Sequence, residues 1–163
     1  AQHGVHRAPP HDLLFLRRDI TKTEGINRWL DAVRRGAMHT ILCEDAEGIV
    51  GYSSLHLTEL DWSPHVADLR VMTADRARGL GLGRLLTREA FNMAMALGIE
   101  KVVARMTPDQ TGARSLFQEL GFQPEALLKD EVKDRAGEYH DLLIMACNVH
   151  TFLAQREAFG VKA

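Results

Sequence analysis

The chain has 163 residues, 45% of them hydrophobic and 26% charged, with a formal net charge of −2. At roughly 150 residues per domain this is one domain, able to bury about two-thirds of its unfolded surface. These values exclude disordered, collagen-like and low-complexity classes, and the near-neutral charge argues against broad nucleic-acid binding.

In chain order, residues 1–12 read as a flexible polar tail that carries His3, His6 and His11 and lacks the apolar core of a signal peptide. The absence of an initial Met points to a processed or cut terminus. No metal site is expected. The apolar run 13–17 predicts a first strand. Thr21 and Glu24 have capping-box spacing, so a helix is expected from there to Arg35, stopped by Gly36. Residues 39–44 and 49–56 predict a hairpin about the turn 45–48. A loop, 58–65, holds Glu59, Asp61, Trp62 and Pro64. Residues 66–73 alternate as a strand should and lead into a glycine-rich turn, 78–83. A mostly buried helix then runs to Leu97, with Leu82, Leu85, Leu86 and Phe91 among its apolar positions. Further on, 101–106 predicts a strand and 111–120 a helix ended by Gly121. Residues 122–128 predict a strand, 130–138 a charged turn, and 139–147 the last strand. Residues 150–159 predict a helix anchored by Phe152, Leu153 and Phe159, within a helical extension 149–163. The pattern is one α/β domain, residues 13–163, with six or seven strands and four helices.

Charge is uneven along the chain. Residues 44–69 hold six acids and no Lys or Arg, whereas 70–88 hold five arginines and one acid. This distribution suits a protein that holds an anion with one segment and attracts a cation with its neighbour. No apolar run reaches membrane-spanning length, so no membrane contact is expected. Two cysteines, Cys43 and Cys147, are too few for a zinc ribbon or disulfide framework. Both are expected as reduced thiols in a cytoplasmic protein.

The glycine-rich turn carries the functional information. A helix start offers free backbone N–H groups and the positive end of its dipole, and glycines admit phosphate oxygens to the main chain. Gly79, Gly81 and Gly83 give G-x-G-x-G, with Arg84 where a dinucleotide fingerprint needs its last Gly; the phosphate-loop pattern fails too. What remains is R-x-x-G-x-G on Arg78, Gly81 and Gly83.

With that turn between a strand and a helix, the sequence resembles the GNAT superfamily of acyl-CoA-dependent N-acyltransferases over residues 13–147. The family's downstream pattern N-x-x-A-x-x-L-Y-E-x-x-G-F is matched by Ala113, Leu116, Gly121 and Phe122, and 138–145 resembles its final strand. The resemblance implies a mixed, mostly antiparallel sheet flanked by helices and acetyl-CoA as acyl donor, with no metal. It implies that the amides of Leu80, Gly81, Leu82, Gly83 and Arg84 cradle the pyrophosphate, with Arg78 in the motif. Amides at Met72 and Thr73 would orient the thioester carbonyl, and Arg84 and Arg88 would reach phosphates. Two departures from the pattern matter. The family's Asn is Gln110, which can still hold the pantetheine arm or nearby backbone. Its frequent general-acid Tyr is Phe117, which has no proton to give; a thiol of pKa near 8.5 leaves well without one.

An amine acceptor arrives as ammonium and must lose a proton before it attacks. Asp68 is the first candidate base, with Glu59 and Asp61 as rivals; Tyr139 is a candidate acid. His56, His65 and His140 are further proton-handling candidates. The expected activity is acetyl transfer from acetyl-CoA to a primary amine, a small molecule or a protein amine, in a ternary complex. The expected assembly is a monomer or homodimer. The alternative is an acyl-CoA-binding or sensing module with little or no catalysis, and a nucleotide-binding domain is disfavoured by the failed fingerprints.

Overall fold

The computed structural model describes residues 23–158. The predicted tail, the strand at 13–17, Thr21 of the capping box and Phe159 lie outside them. The described elements are α1 (Thr23–Arg34), β1 (Met38–Asp45), β2 (Gly48–Leu57), β3 (Val66–Thr73), a short 3-10 turn (Asp75–Ala77), α2 (Leu82–Ala96), β4 (Lys101–Met106), α3 (Thr111–Glu119), β5 (Gln123–Lys133), β6 (Tyr139–Asn148) and α4 (Val149–Ala158). Among the described residues no helix is long and apolar enough to cross a membrane.

The strands form one six-stranded sheet in the order β1-β2-β3-β4-β6-β5. Every neighbouring pair is antiparallel except β3 and β4, which run parallel and are joined by α2. The chain is a single α/β domain with a mixed, mostly antiparallel sheet, as the resemblance implied. β3 and β4 take the predicted bounds: β3 alternates in burial over its first half, β4 is a short apolar run, and each ends at a turn.

The last hairpin differs from expectation. Residues 130–133, read as turn, continue β5, with Val132 facing His140 and Lys133 facing Tyr139. β5 pairs only with β6, so it is an edge strand whose side chains stay exposed while its backbone is paired on one side. Charge is tolerated on such a strand, and its Glu125 meets Lys101 at 2.7 Å. A bulge between Leu128 and Val132, with Asp130 at φ 53°, absorbs the irregularity.

The core lies on the sheet face covered by α2 and α4. Phe91 of α2 and Phe122 after α3 are fully buried. Phe91 stacks on Phe152 of α4 at 4.1 Å and meets Phe122 edge-on at 5.6 Å. Leu69, Val102, Ala104, Met145 and Cys147 supply the sheet side of this cluster. Cys43 and Cys147 are both free thiols, and burial pushes the Cys147 thiol up to about 11.

Candidate functional site

The parallel pair β3 and β4 forms the site by separating. The ladder runs from Val66 opposite Lys101 to Leu69 opposite Ala104 and stops there, although β3 continues to Thr73 and β4 to Met106. Beyond Leu69 the β4-facing edge of β3 has no ladder partner. A groove of about 770 Å³ fills the split, lined by Leu69 to Thr73 on one side and Ala104 to Met106 on the other. The first turn of α2 and much of α3 complete its wall.

The glycine-rich turn supplies an anion cradle at one end. Gly79 and Gly81 stand at φ 76° and 80°, a left-handed conformation that glycine adopts without penalty. Gly81 is the N-cap of α2 and offers no side-chain cap, and the first intrahelical bond is Leu85 N–H to the Gly81 carbonyl. The amides of Leu82, Gly83 and Arg84 therefore have no acceptor within the helix. A Cβ on Gly79 or Gly81 would meet nothing within 4 Å, so the space above the turn is open. On Gly83 it would stand 3.2 Å from Leu116 Cδ2, because α3 packs closely against this turn. Open amides, a helix start and a groove leading away from them fit the pyrophosphate and pantetheine arm of acetyl-CoA.

Gly51 of β2 sits beneath the cradle. A Cβ there would lie 2.9 Å from the Met72 carbonyl oxygen, 3.0 Å from Leu86 Cδ1 and 3.1 Å from Leu82 Cδ2. Only glycine lets α2 seat this low on the sheet. The next residue, Tyr52, lines the groove and donates its hydroxyl to Met72 Sδ at 3.0 Å. Burial pushes its phenol up to about 12.

The basic segment proves largely occupied. Arg76 reaches Asp45 at 3.0 Å and Glu47 at 3.6 Å on the β1–β2 hairpin. Its guanidinium holds the Asp45 carboxyl below the ordinary carboxylate range. Arg78 meets Asp75 at 3.1 Å, and Arg84 pairs with Glu119 of α3. The acidic hairpin and the arginines thus neutralise one another in part, which the linear charge count did not anticipate. The backbone, more than the arginines, makes the cradle. Arg88 is half-buried on α2 and does not line the groove, and Leu80 is an exposed tip beside it.

Of the other predicted residues, Met72, Thr73, Arg78, Gly81, Leu82, Gly83, Arg84, Gln110 and Phe117 all line the groove. Gln110 accepts the Thr107 backbone N–H through Oε1 at 3.1 Å, so its carbonyl end holds the turn after β4. Phe117 is a core residue, 7% exposed and edge-on to Phe122 at 4.8 Å, whose surface reaches the groove. Asp68 stands at the apex of the split, opposite Val103 in β4 and His56 in β2. Its Oδ1 lies 3.2 Å from an Arg105 guanidinium nitrogen. His56 Nε2 lies 3.1 Å from Ser54 Oγ on the same face.

Asp68 and His56 are not themselves among the residues lining the groove, and the remaining candidates lie away from it. Glu59 and Asp61 are exposed in the loop before β3, at the end of that strand remote from the glycine turn. Tyr139 is 60% exposed at the start of β6, with the Lys133 ammonium 5.0 Å over its ring. His140 serves the hairpin, paired with Asp134 at 2.9 Å, and His65 is an exposed loop residue. Gly51, Tyr52, Arg70 and Arg105 were not singled out from the sequence. Each owes its place to strand register, which no local motif encodes.

The comparisons with known proteins agree with this architecture. A family model described as the acetyltransferase (GNAT) family matches residues 8–122, beginning inside the segment read as tail. An L-methionine sulfoximine/L-methionine sulfone acetyltransferase of Pseudomonas paraeruginosa is 28% identical over 127 residues, 74% of this chain and 71% of that protein. A ribosomal-protein-alanine N-acetyltransferase from Brucella melitensis superposes with a TM-score of 0.75 at 25% identity, covering 83% of this chain and 84% of that one. A Salmonella typhimurium protein whose structure carries its cofactor acetyl-CoA gives a TM-score of 0.74 at 21% identity, covering 86% and 83%.

Proposed function

The chain belongs to the GNAT acetyltransferase family, and from that premise we propose that it moves the acetyl group of acetyl-CoA directly to the primary amine of a small molecule. The observation that carries this reading is the split between β3 and β4, opening from the uncapped first turn of α2. The donor supplies an activated thioester. The chain holds its pyrophosphate on the amides of Leu82, Gly83 and Arg84 and offers the unpaired edge of β3 at Met72 and Thr73 to the carbonyl.

Asp68 is assigned the proton that the ammonium must lose, since of the predicted groups it alone stands at the apex of the split. The new C–N bond forms as the C–S bond breaks, and CoA departs as a thiolate that solvent protonates. Phe117 provides a wall and no proton. The Pseudomonas relative is named for L-methionine sulfoximine and L-methionine sulfone, which supports a small-molecule amine here. The two free cysteines support a reducing compartment such as the cytoplasm.

The test is CoA thiol release from acetyl-CoA against a panel of primary amines, with a no-acceptor blank for Cys43 and Cys147. Release with an amine is expected. Tight acetyl-CoA binding with no transfer to any amine would favour an acyl-CoA-sensing module instead, and would make the missing hydroxyl at Phe117 the reason.

A further inference from the structure

Resting on the acetyl-transfer reading, we infer that the acceptor is an α-amino acid or close analogue, its carboxylate held between Arg70 and Arg105 and its amine presented to Asp68. The ladder between β3 and β4 ends at Leu69 opposite Ala104. One further step of the same register would set Arg70 opposite Arg105. Both residues line the groove on the sheet face that also bears Asp68, two residues before Arg70. Arg105 already meets Asp68 at 3.2 Å, and the groove wall carries a second guanidinium, that of Arg70. The planar guanidinium fork matches a carboxylate in two-point geometry.

The acid at this apex makes the match more specific. Asp68 is 17% exposed in its side chain, and Arg105 is 45% exposed while in contact with it. An α-amino acid carries its ammonium and carboxylate on one carbon. It can therefore set the ammonium against Asp68 and the carboxylate against Arg105, replacing one ion pair by two. A polyamine brings only cations to the two arginines, and a lysine side chain in a peptide has no carboxylate near its amine. The remaining charged groups in the groove wall lie elsewhere. Arg78 and Arg84 belong to the glycine turn with their partners Asp75 and Glu119, and Asp109 follows β4.

The experiment compares CoA release at saturating acetyl-CoA for a panel of L-amino acids and L-methionine sulfone, each beside its carboxamide, and for spermidine. The free acids are expected to show kcat/KM at least about tenfold above the carboxamides. Arg105→Gln is expected to lower the acid-to-carboxamide ratio of kcat/KM about ten- to a hundredfold, in line with loss of hydrogen bonds between charged groups; an effect through its contact with Asp68 would fall on both substrates alike. Arg105→Lys, which keeps the charge without the fork, should fall between. Equal use of acid and carboxamide, or release with spermidine alone, overturns the carboxylate site and leaves acetyl transfer standing. If no amine is used, calorimetric titration of N-acetyl-L-methionine and its carboxamide into the CoA-loaded protein decides. Tighter binding of the acid supports the inference, and equal binding overturns it. Failure to bind acetyl-CoA overturns both readings together.

Discussion

Leu69 and Ala104 are the last facing pair of the β3–β4 ladder. Both are buried on the core face, 3% and 2% exposed. They pin the strands at the point where the two begin to separate, so the groove starts from a fixed apex. Beyond them the β4-facing edge of β3 has no strand partner, while β2 still pairs the other edge as far as Thr73.

Gly81→Glu should abolish acetyl-CoA binding, raising Kd by at least about a hundredfold, because it places bulk and a negative charge over the helix start. Gly81→Ala adds only a left-handed non-glycine residue at φ 80°. It should cost about 1–2 kcal/mol of stability with a smaller loss of affinity. Isothermal titration and urea unfolding of both variants separate the two effects, and unchanged affinity in Gly81→Glu would remove the phosphate cradle.

Gly51→Ala should destabilise by about 1–3 kcal/mol, the usual range for overpacking. The added carbon meets a backbone oxygen at 2.9 Å, which cannot swing aside as a side chain end would. Relief by lifting α2 would displace the cradle, so KM for acetyl-CoA should rise as well. A variant with wild-type urea midpoint and KM would show that the helix does not depend on this close seat.

Glu119→Gln should tighten acetyl-CoA binding by about two- to fivefold. Glu119 lines the groove and pairs with Arg84, both side chains being about half exposed. Loss of so exposed a pair costs about 1 kcal/mol or less, while an anion is removed from the donor's path. The gain should shrink as salt is raised. Weaker binding in this variant would show that Glu119 orients Arg84 for the donor.

Asp68→Asn should lower kcat by at least about tenfold, a general-base loss, while leaving Kd for acetyl-CoA within about twofold. Rates measured across pH test it, and full activity at every pH removes Asp68 as the proton acceptor.

Tyr52 should ionise late. Burial raises its phenol from the ordinary 10.0 to about 12. Between those values the unfolded chain has lost the proton and the folded chain still holds it, so folding stability is fully present below pH 10 and declines as pH rises to about 12. The loss is about 2–3 kcal/mol at about 1.4 kcal/mol per unit. Tyrosinate absorbance at 295 nm during an alkaline titration reads it directly. Tyr52→Phe should remove this late step, and its persistence in the variant would assign it to Tyr139.

Local chemistry explains why the fold and the glycine-turn end of the groove were legible in the sequence. The alternation of 66–73, the glycines at 79, 81 and 83 and the helix stop at Gly121 each act within a few residues. The β3–β4 end of the groove was not legible for the opposite reason. Glu59 is close to β3 in sequence, yet it precedes a strand of eight residues whose far end forms the groove. No local signal marks Arg105, which the parallel pairing of β3 and β4 brings against Asp68. The continuation of β5 was missed because an edge strand tolerates charge that a central strand would not. The arginines read as a phosphate patch are partly committed to Asp45, Asp75 and Glu119 through contacts that only the fold creates.

The stacking of Phe152 on Phe91 gives α4 a role beyond closing the core. Phe91 sits nearly three turns along α2 from Gly81, and a helix is a stiff rod. On the acetyl-transfer proposal, α4 therefore splints the helix whose first turn would hold the donor, and loosening the Phe152–Phe91 stack should weaken acetyl-CoA binding together with thermal stability.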